Sequence, residues 1–548
     1  MIGYACKYTP LELIEALGGE PLYLNAEAEH FEQAERLCHS NLCCYSKALL
    51  QNCKKFGLRE LFLVNCCDSL RRCYDALLED GGLDFLFLMD LPSCKTGCAQ
   101  ALLAEELHRF HDAYAKYRQS TFDARRFRGA FTPPSALPTQ PFVGVLGARL
   151  PDTLLQTLQK KLPYPVADLS CGGNRRLAFP HGSDDAFDAK AYAAELLAQP
   201  ACLRMELPRE TRAQLSNPRL AGIVYHTVAF CDYYTFEYAQ LREKTTLPLL
   251  KLETDYLPFA GGQASTRIEA FAETLRRGAP AQKRGKRPMG THVVGIDSGS
   301  TTTNIALLDL EGNLCESATV RTGPKAKLGA HKALEQILAQ SGLPREALCY
   351  AVATGYGREN IEWADHTVTE ISCHARGAHH LFEQVRTIID IGGQDSKVIR
   401  LAENGEVVGF VMNDKCAAGT GRFLEMMART LELELAQMGE RGIRWEKDLT
   451  ISSVCSVFAE SEVISLIADN HAEADIIHGL NKAVAGKTAA LCHRVDAHAP
   501  YLMTGGVAYN PGVVQALAEK LGEPVKTAEN PELCGALGAA LYALDQVR

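Results

Sequence analysis

The second half of the chain contains one strand-turn-strand pattern twice, and no other feature restricts the fold as strongly. The first copy, IDSGSTTTNIALLDLEGNL, begins at Ile296, and the second, IDIGGQDSKVIRLAENGEV, begins at Ile389. Aligned without gaps, the matching positions are Asp297 with Asp390, Gly299 with Gly392, and Gly312 with Gly405. Each copy has the composition of three strands joined by a glycine-containing turn and a hairpin turn. This duplication predicts two pseudo-symmetric lobes that face a cleft.

The residues that follow each aspartate suit a phosphate-binding turn. They are small or polar: Ser298, Gly299, Ser300, Thr301 and Thr302 in the first copy, and Gly392, Gly393 and Gln394 in the second. Backbone N–H groups in such turns approach phosphate oxygens closely. Asp297 or Asp390 can hold Mg²⁺ directly or through water, and Gln394 and the threonines offer neutral hydrogen bonds to phosphate or to an attacking water. We therefore expect a nucleotide site in which Asp297, Asp390 and Gln394 are catalytic.

A third glycine pair suits the other end of a nucleotide. Gly505 and Gly506 follow the apolar run Tyr501–Met503, where a turn can lie against base and ribose. The sequence contains no G-x-x-x-x-G-K-[ST], and hairpins replace the strand-to-helix turn of a P-loop.

Seven motifs in this half resemble one known family. They are DSGSTTTN (Asp297–Asn304), TGYGR (Thr354–Arg358), EISCHARGA (Glu370–Ala378), DIGGQDSK (Asp390–Lys397), NDKCAAGTGRF (Asn413–Phe423), CSVFAESEV (Cys455–Val463) and TGGVAYN (Thr504–Asn510). Together they resemble the ATP-dependent activators of 2-hydroxyacyl-CoA dehydratases, which are related to subunits of benzoyl-CoA reductase. The resemblance implies the acetate/sugar kinase, Hsp70 and actin fold, MgATP between two lobes, and a [4Fe–4S] cluster.

Two cysteines of these motifs are candidate cluster ligands. Cys416 and Cys455 each stand next to a predicted helix start, where thiolates are favoured. A cubane needs four thiolates and one chain supplies two, so a two-fold homodimer would complete the set. The resembling family is built in this way. The alternative is that both are small buried packing residues.

The chain has 20 cysteines, and they are concentrated near its start. The first hundred residues hold Cys6, Cys38, Cys43, Cys44, Cys53, Cys66, Cys67, Cys73, Cys94 and Cys98. No two cysteines have C-x-x-C spacing, which disfavours zinc ribbons and the bacterial ferredoxin run. Without a signal-peptide pattern or a membrane-length apolar run, we expect a cytoplasmic protein, in which thiols serve metal, cluster or redox chemistry. The formal charge of −9 argues against nucleic-acid binding.

The first half alternates short apolar runs with helix-period stretches. Examples are Leu61–Val64, Phe85–Met89, Phe142–Leu146 and Gly222–Tyr225 against Leu11–Leu17 and Ala191–Ala198. This alternation predicts an α/β class with Rossmann-like lobes around parallel sheets. We expect a domain over residues 1–280 with a break near 131–141, a linker over 281–292, and the duplicated kinase-like domain over 293–548.

Seven segments of the first half resemble the dehydratase component D family, which includes double-cubane-cluster proteins. They are Ala5–Pro21, His39–Leu50, Asn65–Asp75, Asp168–Arg175, Phe230–Leu241, Leu249–Tyr256 and Gly262–Phe271. The resemblance implies that Cys43, Cys67 and Cys231 bind a cubane with one iron open. Cys171, Cys202 and Cys6 would supply a second set of three, although vicinal Cys44 and Cys66 compete for the same roles. A zinc site of Cys43, Cys44, Cys66 and Cys67 is a further alternative, with strain from the vicinal pairs.

The two resemblances together indicate a fusion of an activator with a component-D-like domain. Electrons from reduced ferredoxin or flavodoxin would pass the dimer-bridging [4Fe–4S] cluster and reach an N-terminal cluster, either a second [4Fe–4S] or a double cubane [8Fe–9S]. The acceptor would be a small molecule that is difficult to reduce, or alternatively a 2-hydroxyacyl-CoA undergoing dehydration. A cluster-free kinase or chaperone of the same fold remains the alternative from another class.

Overall fold

The computed structural model of the chain forms two compact units, Met1–Leu275 and Arg276–Arg548. The structure describes residues 1–131, 137–173, 175, 177–179, 187–199, 202, 205, 213–258, 261–276, 290–413, 417–451 and 456–548. Most of the expected linker and part of the expected break near 131–141 lie outside these ranges. No helix in the described ranges is long and apolar enough to cross a membrane.

The N-terminal unit begins with a four-stranded parallel sheet. Its strands are β1 (Ile2–Tyr4), β2 (Pro21–Tyr23), β3 (Glu60–Val64) and β4 (Phe85–Met89), in the order β2-β1-β3-β4. The helices of this part are α1 (Leu11–Ala16), α2 (Glu32–Leu37), α3 (Cys44–Lys55), α4 (Asp68–Asp80), α5 (Gly97–Arg118) and α6 (Ala124–Ala130). Phe62 and Phe87 on neighbouring strands pack against Phe110 of α5, which buries one face of the sheet.

A second parallel sheet in the same unit repeats this order. Its strands are β5 (Phe142–Gly147), β6 (Val166–Asp168), β7 (Leu220–Val228) and β8 (Leu249–Thr254), in the order β6-β5-β7-β8. Its helices are α7 (Asp152–Lys161), α8 (Ala189–Ala198), α9 (Asp232–Lys244) and α10 (Gly261–Arg276). The predicted parallel sheets of the first half are therefore confirmed. In both sheets the chain reverses its direction of winding between the two central strands, and open α/β sheets bind ligands at the carboxyl ends of such strands.

The C-terminal unit contains two five-stranded sheets of identical topology. The first half has β9 (His292–Ser298), β10 (Thr302–Asp309), β11 (Leu314–Arg321), α11 (Ala326–Ser341), β12 (Leu348–Thr354), β13 (His366–Thr367) and α12 (Glu370–Leu381). The second half has β14 (Thr387–Ile391), β15 (Ser396–Leu401), β16 (Val407–Asn413), α13 (Gly421–Thr430), α14 (Leu435–Arg441), α15 (Ser456–Ala468), α16 (Glu473–Arg494), β17 (Tyr501–Thr504), α17 (Pro511–Leu521), β18 (Val525–Thr527) and α18 (Cys534–Val547). The orders are β11-β10-β9-β12-β13 and β16-β15-β14-β17-β18. The repeat seen in the sequence is thus a true structural duplication.

Helices α12 and α18 cross between the two halves of this unit. A Cβ on Gly538 would overlap the carbonyl oxygen of Cys373, and a Cβ on Gly377 would overlap that of Cys534. Glycine at both positions therefore lets the two backbones touch.

Candidate functional site

The two aspartates of the repeat lie at equivalent places in the C-terminal unit. Asp297 is near the end of β9 and Asp390 near that of β14, each the first strand of its meander. Both carboxylates are buried, with 8% and 4% of the residue exposed. Burial of two acidic side chains carries a free-energy cost, so each needs a compensating partner.

The imidazole of His374 on α12 lies between these aspartates. Its Nε2 is 3.7 Å from Oδ2 of Asp297, and its Nδ1 is 3.7 Å from Oδ1 of Asp390. Nδ1 is buried and has no hydrogen-bond partner among the described residues. One ring thus connects the two halves of the duplicated unit.

A buried lysine makes the two aspartates unequal. Nζ of Lys397 is 2.9 Å from Oδ2 of Asp395, 3.2 Å from Oδ2 of Asp390 and 3.5 Å from Oε2 of Glu370. The first copy of the repeat has Asn304 at the corresponding position. The two carboxylates therefore have different electrostatic surroundings despite the symmetric backbone.

The pKa values of the aspartates follow this asymmetry. Burial raises the pKa of Asp297, and the charges of His374 and Lys397 offset this only in part. Burial acts in the same direction on Asp390, but His374, Lys397 and a 3.0 Å hydrogen bond donated by Thr504 outweigh it and hold its pKa at about 2. Asp390 is therefore a fixed anion, and Asp297 is the carboxyl group whose charge depends more on what binds beside it.

The glycine turns surround the aspartates closely. A Cβ on Gly393 would collide with the side chain of Thr301, so the turn of the second copy lies directly against the turn of the first. Gly505, at φ +81°, would place a Cβ 2.5 Å from the carbonyl oxygen of Ile391 and 2.9 Å from Oδ1 of Asp390. A Cβ on Gly355 would likewise overlap Oδ1 of Asp297, so side chains are excluded beside both carboxylates.

Exposed and unpartnered polar groups complete a cradle that fits a nucleotide with its metal ion. Ser300, Thr301 and Gln394 are exposed, while Gly299, Thr302, Gly392, Gly393 and Gly506 are half-buried. Ser298 is buried, and within the described ranges its Oγ and the Oγ1 of Thr354 have no hydrogen-bond partner. Such unpartnered buried groups are uncommon in folded proteins, and a polar ligand satisfies them.

The phosphate-type turn of the second copy is bonded directly to α13. The backbone N–H of Gly421 donates to the carbonyl oxygen of Gly392 at 2.9 Å, and that of Arg422 donates to Gly393 at 2.8 Å. Cys416, which precedes this helix, lies outside the described residues, and so does Cys455, which precedes α15. The hydroxyl of Thr430 on α13 donates to Glu460 on α15 at 3.3 Å, so the helices after the two cysteines are in contact.

Four of the six predicted ligands of the N-terminal unit lie at the carboxyl ends of parallel strands. Cys6 follows β1, Cys171 follows β6, and Cys67 and Cys231 immediately precede α4 and α9 after β3 and β7. Cys43 immediately precedes α3 in the connection from β2 to β3. Since side chains after parallel strands converge at one edge of a sheet, this placement suits a shared site.

Five cysteines form two sets of thiol contacts in this region. The free thiols of Cys43 and Cys231 share a hydrogen bond, which lowers the pKa of Cys43 to about 7 and raises that of Cys231. The free thiol of Cys66 shares hydrogen bonds with those of Cys6 and Cys67, which lower the pKa of Cys6 and Cys67, while the same hydrogen bonds and burial raise the pKa of Cys66. The charge of Cys43 also acts on Cys67, so the two groups are neighbours. Thiols grouped in this way are a chemically suitable donor set for iron.

Cys171 and Cys202 lie near this set. Both act electrostatically on Tyr8, as does Cys6. Cys66 lies between Cys6 and Cys67 in this set of contacts. The sequence alone could not decide between Cys66 and Cys67 as a ligand, because the two residues are adjacent in one motif. His374 and Lys397 lie in motifs quoted above, but nothing in the sequence assigned them a role.

No group of three His, Cys, Asp or Glu residues in the described part of the chain is placed to hold a single metal ion. The four cysteines of the alternative zinc site, Cys43, Cys44, Cys66 and Cys67, therefore do not form such a group in this structure. A cubane differs from a single ion because each cysteine binds a different iron, which spreads the ligands around a larger volume.

Comparison with known proteins gives the same division of the chain. Residues 294–543 match the BadF/BadG/BcrA/BcrD ATPase family, and residues 6–132 and 146–275 match the 2-hydroxyglutaryl-CoA dehydratase D-component. The 2-hydroxyisocaproyl-CoA dehydratase activator of Clostridioides difficile is 42% identical over 47% of this chain and 96% of that protein. The (R)-2-hydroxyglutaryl-CoA dehydratase activating ATPase of Acidaminococcus fermentans is 44% identical over 46% of this chain and 98% of its own length.

A further relative and a solved structure match the same half. The activator of lactoyl-CoA dehydratase of Anaerotignum propionicum is 46% identical over 46% of this chain and 98% of that protein. The solved activator from Clostridium difficile with bound ADPNP has a TM-score of 0.46, covering 47% of this chain and 95% of that one at 42% identity. The duplicated acetate/sugar kinase, Hsp70 and actin fold predicted for the C-terminal half is confirmed. With a turn-and-aspartate cleft and this degree of identity, the chain belongs to the BadF/BadG/BcrA/BcrD ATPase family, and it joins that ATPase to a unit of the dehydratase D-component type.

Proposed function

We propose that this protein uses ATP to drive low-potential electron transfer from a dimer-bridging [4Fe–4S] cluster to a second iron–sulfur group in its N-terminal unit, for the reduction of a small molecule. The observation that carries the proposal is the presence, in one polypeptide, of an ATPase cleft and a buried set of hydrogen-bonded cysteines. Relatives that match only the C-terminal half are named as activators of dehydratases, so an activator fused to its own acceptor is the simplest interpretation.

In the nucleotide cleft, each group has a defined task. Asp390 is paired with Lys397 and anchors the second turn, while Asp297 and the exposed Gln394 would act on the nucleotide when it binds. The aspartates would hold Mg²⁺ directly or through water, and Gly505 and Gly506 would lie against base and ribose. Bound MgATP would supply the phosphoryl chemistry and its free energy.

The bonds from α13 provide a path between this cleft and Cys416. A shift of the Gly392–Gly393 turn moves two carbonyl oxygens that accept from the first residues of α13. The turn and the helix start therefore move together, and Cys416 lies five residues before Gly421. Solvent exposure and hydrogen bonds to sulfur set cluster potentials, so such a movement would alter the potential.

An exposed apolar face supports dimerisation next to Cys455. On α15, Val457 and Phe458 are each 67% exposed, Ile464 is 54% and Ile467 is 43% exposed. Large apolar side chains grouped on one exposed helix mark an interaction surface. Pairing two copies here would bring Cys416 and Cys455 of each chain to one cubane, which needs four thiolates.

The N-terminal cysteines would hold the accepting group. Cys6, Cys43, Cys67 and Cys231, with Cys66, form the thiol contacts described above, and Cys171 and Cys202 are near them. These residues suit a [4Fe–4S] cluster or a double cubane [8Fe–9S]. Reduced ferredoxin or flavodoxin would be the donor. The match to a dehydratase D-component favours a second candidate, the radical dehydration of a 2-hydroxyacyl-CoA.

Anaerobic purification of the full chain tests the proposal. We expect iron and acid-labile sulfide in excess of one half-cubane per chain, dithionite-reducible EPR signals, and a signal that changes on adding MgATP. Cys416→Ser and Cys455→Ser should each remove the nucleotide-responsive signal and leave the other signal. Cys315→Ser is the matched control, because Cys315 is exposed on β11 and belongs to neither site. Absence of iron, or a spectrum indifferent to MgATP in the wild type, contradicts the proposal.

A further inference from the structure

A buried arginine lies among the N-terminal cysteines. Arg149 is 6% exposed, its Nε has no hydrogen-bond partner, and it forms no ion pair with a carboxylate in the described part of the chain. Its guanidinium carbon lies 4.1 Å from the ring centre of Tyr45 and 5.5 Å from that of Tyr23. Stacking on aromatic rings offsets only part of the cost of burying a charge, which is large when no anion is present.

The position of Arg149 in the fold points to the same ligand site. Arg149 is two residues beyond the end of β5, and Cys6 is two residues beyond the end of β1. The two sheets have the same strand order, so the arginine and the cysteine hold equivalent places at the winding reversals of their sheets. The side chain of Asn25, which follows β2, donates to the carbonyl oxygen of Leu150 at 2.8 Å and so connects these edges.

The charge of Arg149 reaches three of the candidate ligands. Hydrogen bonds between thiols are the largest cause of the lowered pKa values of Cys6, Cys43 and Cys67, and the charge of Arg149 acts in the same direction on all three. Gly172, directly after Cys171, would place a Cβ 3.1 Å from Nε of Arg149. The guanidinium therefore lies beside the residue that follows one candidate ligand, Cys171, and within electrostatic range of three others.

Two further buried polar groups beside these cysteines lack partners in the described ranges. The hydroxyls of Thr9 and Ser170 are buried without a hydrogen bond to any described residue. Thr9 belongs to the turn whose backbone N–H donates to the carbonyl oxygen of Cys6 at 3.0 Å, and Ser170 precedes Cys171. A buried cation without a carboxylate and two unpartnered hydroxyls at one place indicate a ligand with several electron-rich atoms.

We infer that Arg149 is the counter-cation of the group bound by the N-terminal cysteines, and that this group carries a net negative charge which grows on reduction. The inference rests on the proposed function, because only that function assigns an iron–sulfur group to these cysteines. A fixed positive charge in a region of low dielectric stabilises the reduced, more negative state. Arg149 is thus a positioning residue that makes the N-terminal group the easier one to reduce.

The test uses the full chain with Cys416→Ser and Cys455→Ser, so that only the N-terminal group contributes a signal. Arg149→Met removes the charge and keeps the length of the side chain, Arg149→Gln is a second neutral variant, and Arg149→Lys keeps the charge. Arg59→Met is the control, since Arg59 is exposed and pairs with Asp84 at the amino end of β3. At a fixed potential, the ratio of reduced to oxidised group should fall at least about tenfold in the neutral variants, or about 59 mV for one electron. Arg149→Lys and Arg59→Met should remain close to the starting protein.

Urea unfolding of the metal-free and iron-loaded forms, followed by far-UV circular dichroism, is the second readout. Removing an uncompensated buried cation should leave the metal-free protein at least as stable as before and make the loaded protein less stable. Equal loss of stability in both forms, or an unchanged potential at full iron content, overturns the inference and leaves Arg149 as a packing residue. If the wild type binds no iron, the proposed function fails first. In that case a metal-free Arg149→Met protein that is destabilised also overturns the assignment of Arg149, whereas a stabilised one supports an uncompensated cation.

Discussion

At the scale of single residues, the duplicated unit shows how a symmetric backbone carries asymmetric chemistry. Asp297 and Asp390 occupy matching strand ends, yet Lys397 contacts only Asp390. Lys397 itself is surrounded by Glu370, Asp390 and Asp395, whose charges raise its pKa well above the ordinary value despite burial. The lysine compensates a buried acidic cluster, so its removal leaves several carboxylates uncompensated.

We expect Lys397→Met to destabilise the C-terminal unit by about 3–5 kcal/mol, the range for breaking a buried ion pair from one side. Both tryptophans, Trp363 and Trp445, lie in this unit, so fluorescence-detected urea unfolding reports on it. Lys397→Met with Asp390→Asn should recover part of the loss, because one unpaired anion is removed as well. Lys332→Met is the matched control on the exposed face of α11. A loss below about 1 kcal/mol contradicts this role of Lys397 in the cluster.

A buried histidine in the N-terminal unit gives a pH dependence. His226 is fully buried, contacts the carbonyl oxygen of Ala148 and the hydroxyl of Thr254, and burial lowers its pKa to about 4. In the unfolded chain the imidazole of His226 takes up a proton near pH 6.5, and in the folded chain it does so only near pH 4. Its contribution to the free energy of unfolding is therefore fully present above pH 6.5 and is lost as the pH falls toward 4. Between pH 7 and pH 5 the loss from this group should be about 2 kcal/mol.

The measurement is urea unfolding of the metal-free protein by far-UV circular dichroism at pH 7 and pH 5. His226→Gln should be less stable than the wild type at pH 7 but should lose about 2 kcal/mol less between the two pH values. An identical pH dependence in both proteins would show that His226 does not titrate in the unfolding transition.

The sequence predicted residue chemistry where it is local and missed it where it depends on distant contacts. The aspartates and glycines of the turns were recognisable because turn formation involves neighbouring residues. Lys397 gains its role from α12 as well as its own strand, and Arg149 from contacts with residues about 100 positions earlier in the first sheet's part of the chain. No local pattern distinguishes such residues from ordinary surface lysines and arginines.

At the scale of elements, strands were easier to predict than helix crossings. The meanders followed from alternating apolar runs and hairpin turns, and the parallel sheets from the alternation of strands and helices. The contact of α12 with α18 depends on two glycines that look unremarkable in a helix. Glycine is required at position 538 because a Cβ there would clash with a backbone oxygen, which cannot move away as the end of a flexible side chain can.

Gly538→Ala should therefore destabilise the C-terminal unit by about 1–3 kcal/mol or more, although alanine favours a helix by about 1 kcal/mol in the absence of the crossing. Gly409→Ala is the control, because no atom lies within 4 Å of a Cβ at that position in β16. Tryptophan fluorescence during urea unfolding measures both. A stabilised Gly538→Ala protein would mean that the helices do not touch there.

At the scale of the whole molecule, the number of cysteine ligands in each half of the chain determines how many chains the proposed clusters would need. In the proposed assignment Cys416 and Cys455 would supply two thiolates per chain, and because a cubane takes four, a second chain would have to supply the other two. The N-terminal unit has more cysteines close to one another than the four that one cubane requires, so in the proposed function its group would not need thiolates from a second chain. The protein is thus expected to contain one shared group per dimer and one separate group per chain.

The exposed face of α15 makes the shared group testable without touching a cysteine. Phe458→Glu places a charge on a side chain that is 67% exposed in the single chain, three residues after Cys455. If this face forms the dimer, burying the glutamate should cost at least about 2 kcal/mol and raise the dissociation constant about thirtyfold or more. Sedimentation velocity should then show monomer for Phe458→Glu and dimer for Leu328→Glu, which alters a comparably exposed leucine on α11. The monomeric variant should also lose the nucleotide-responsive EPR signal while keeping the N-terminal one, since only the former depends on both chains. A Phe458→Glu protein that remains dimeric with both signals would place the interface elsewhere and remove the reason for assigning Cys455 to a shared cluster.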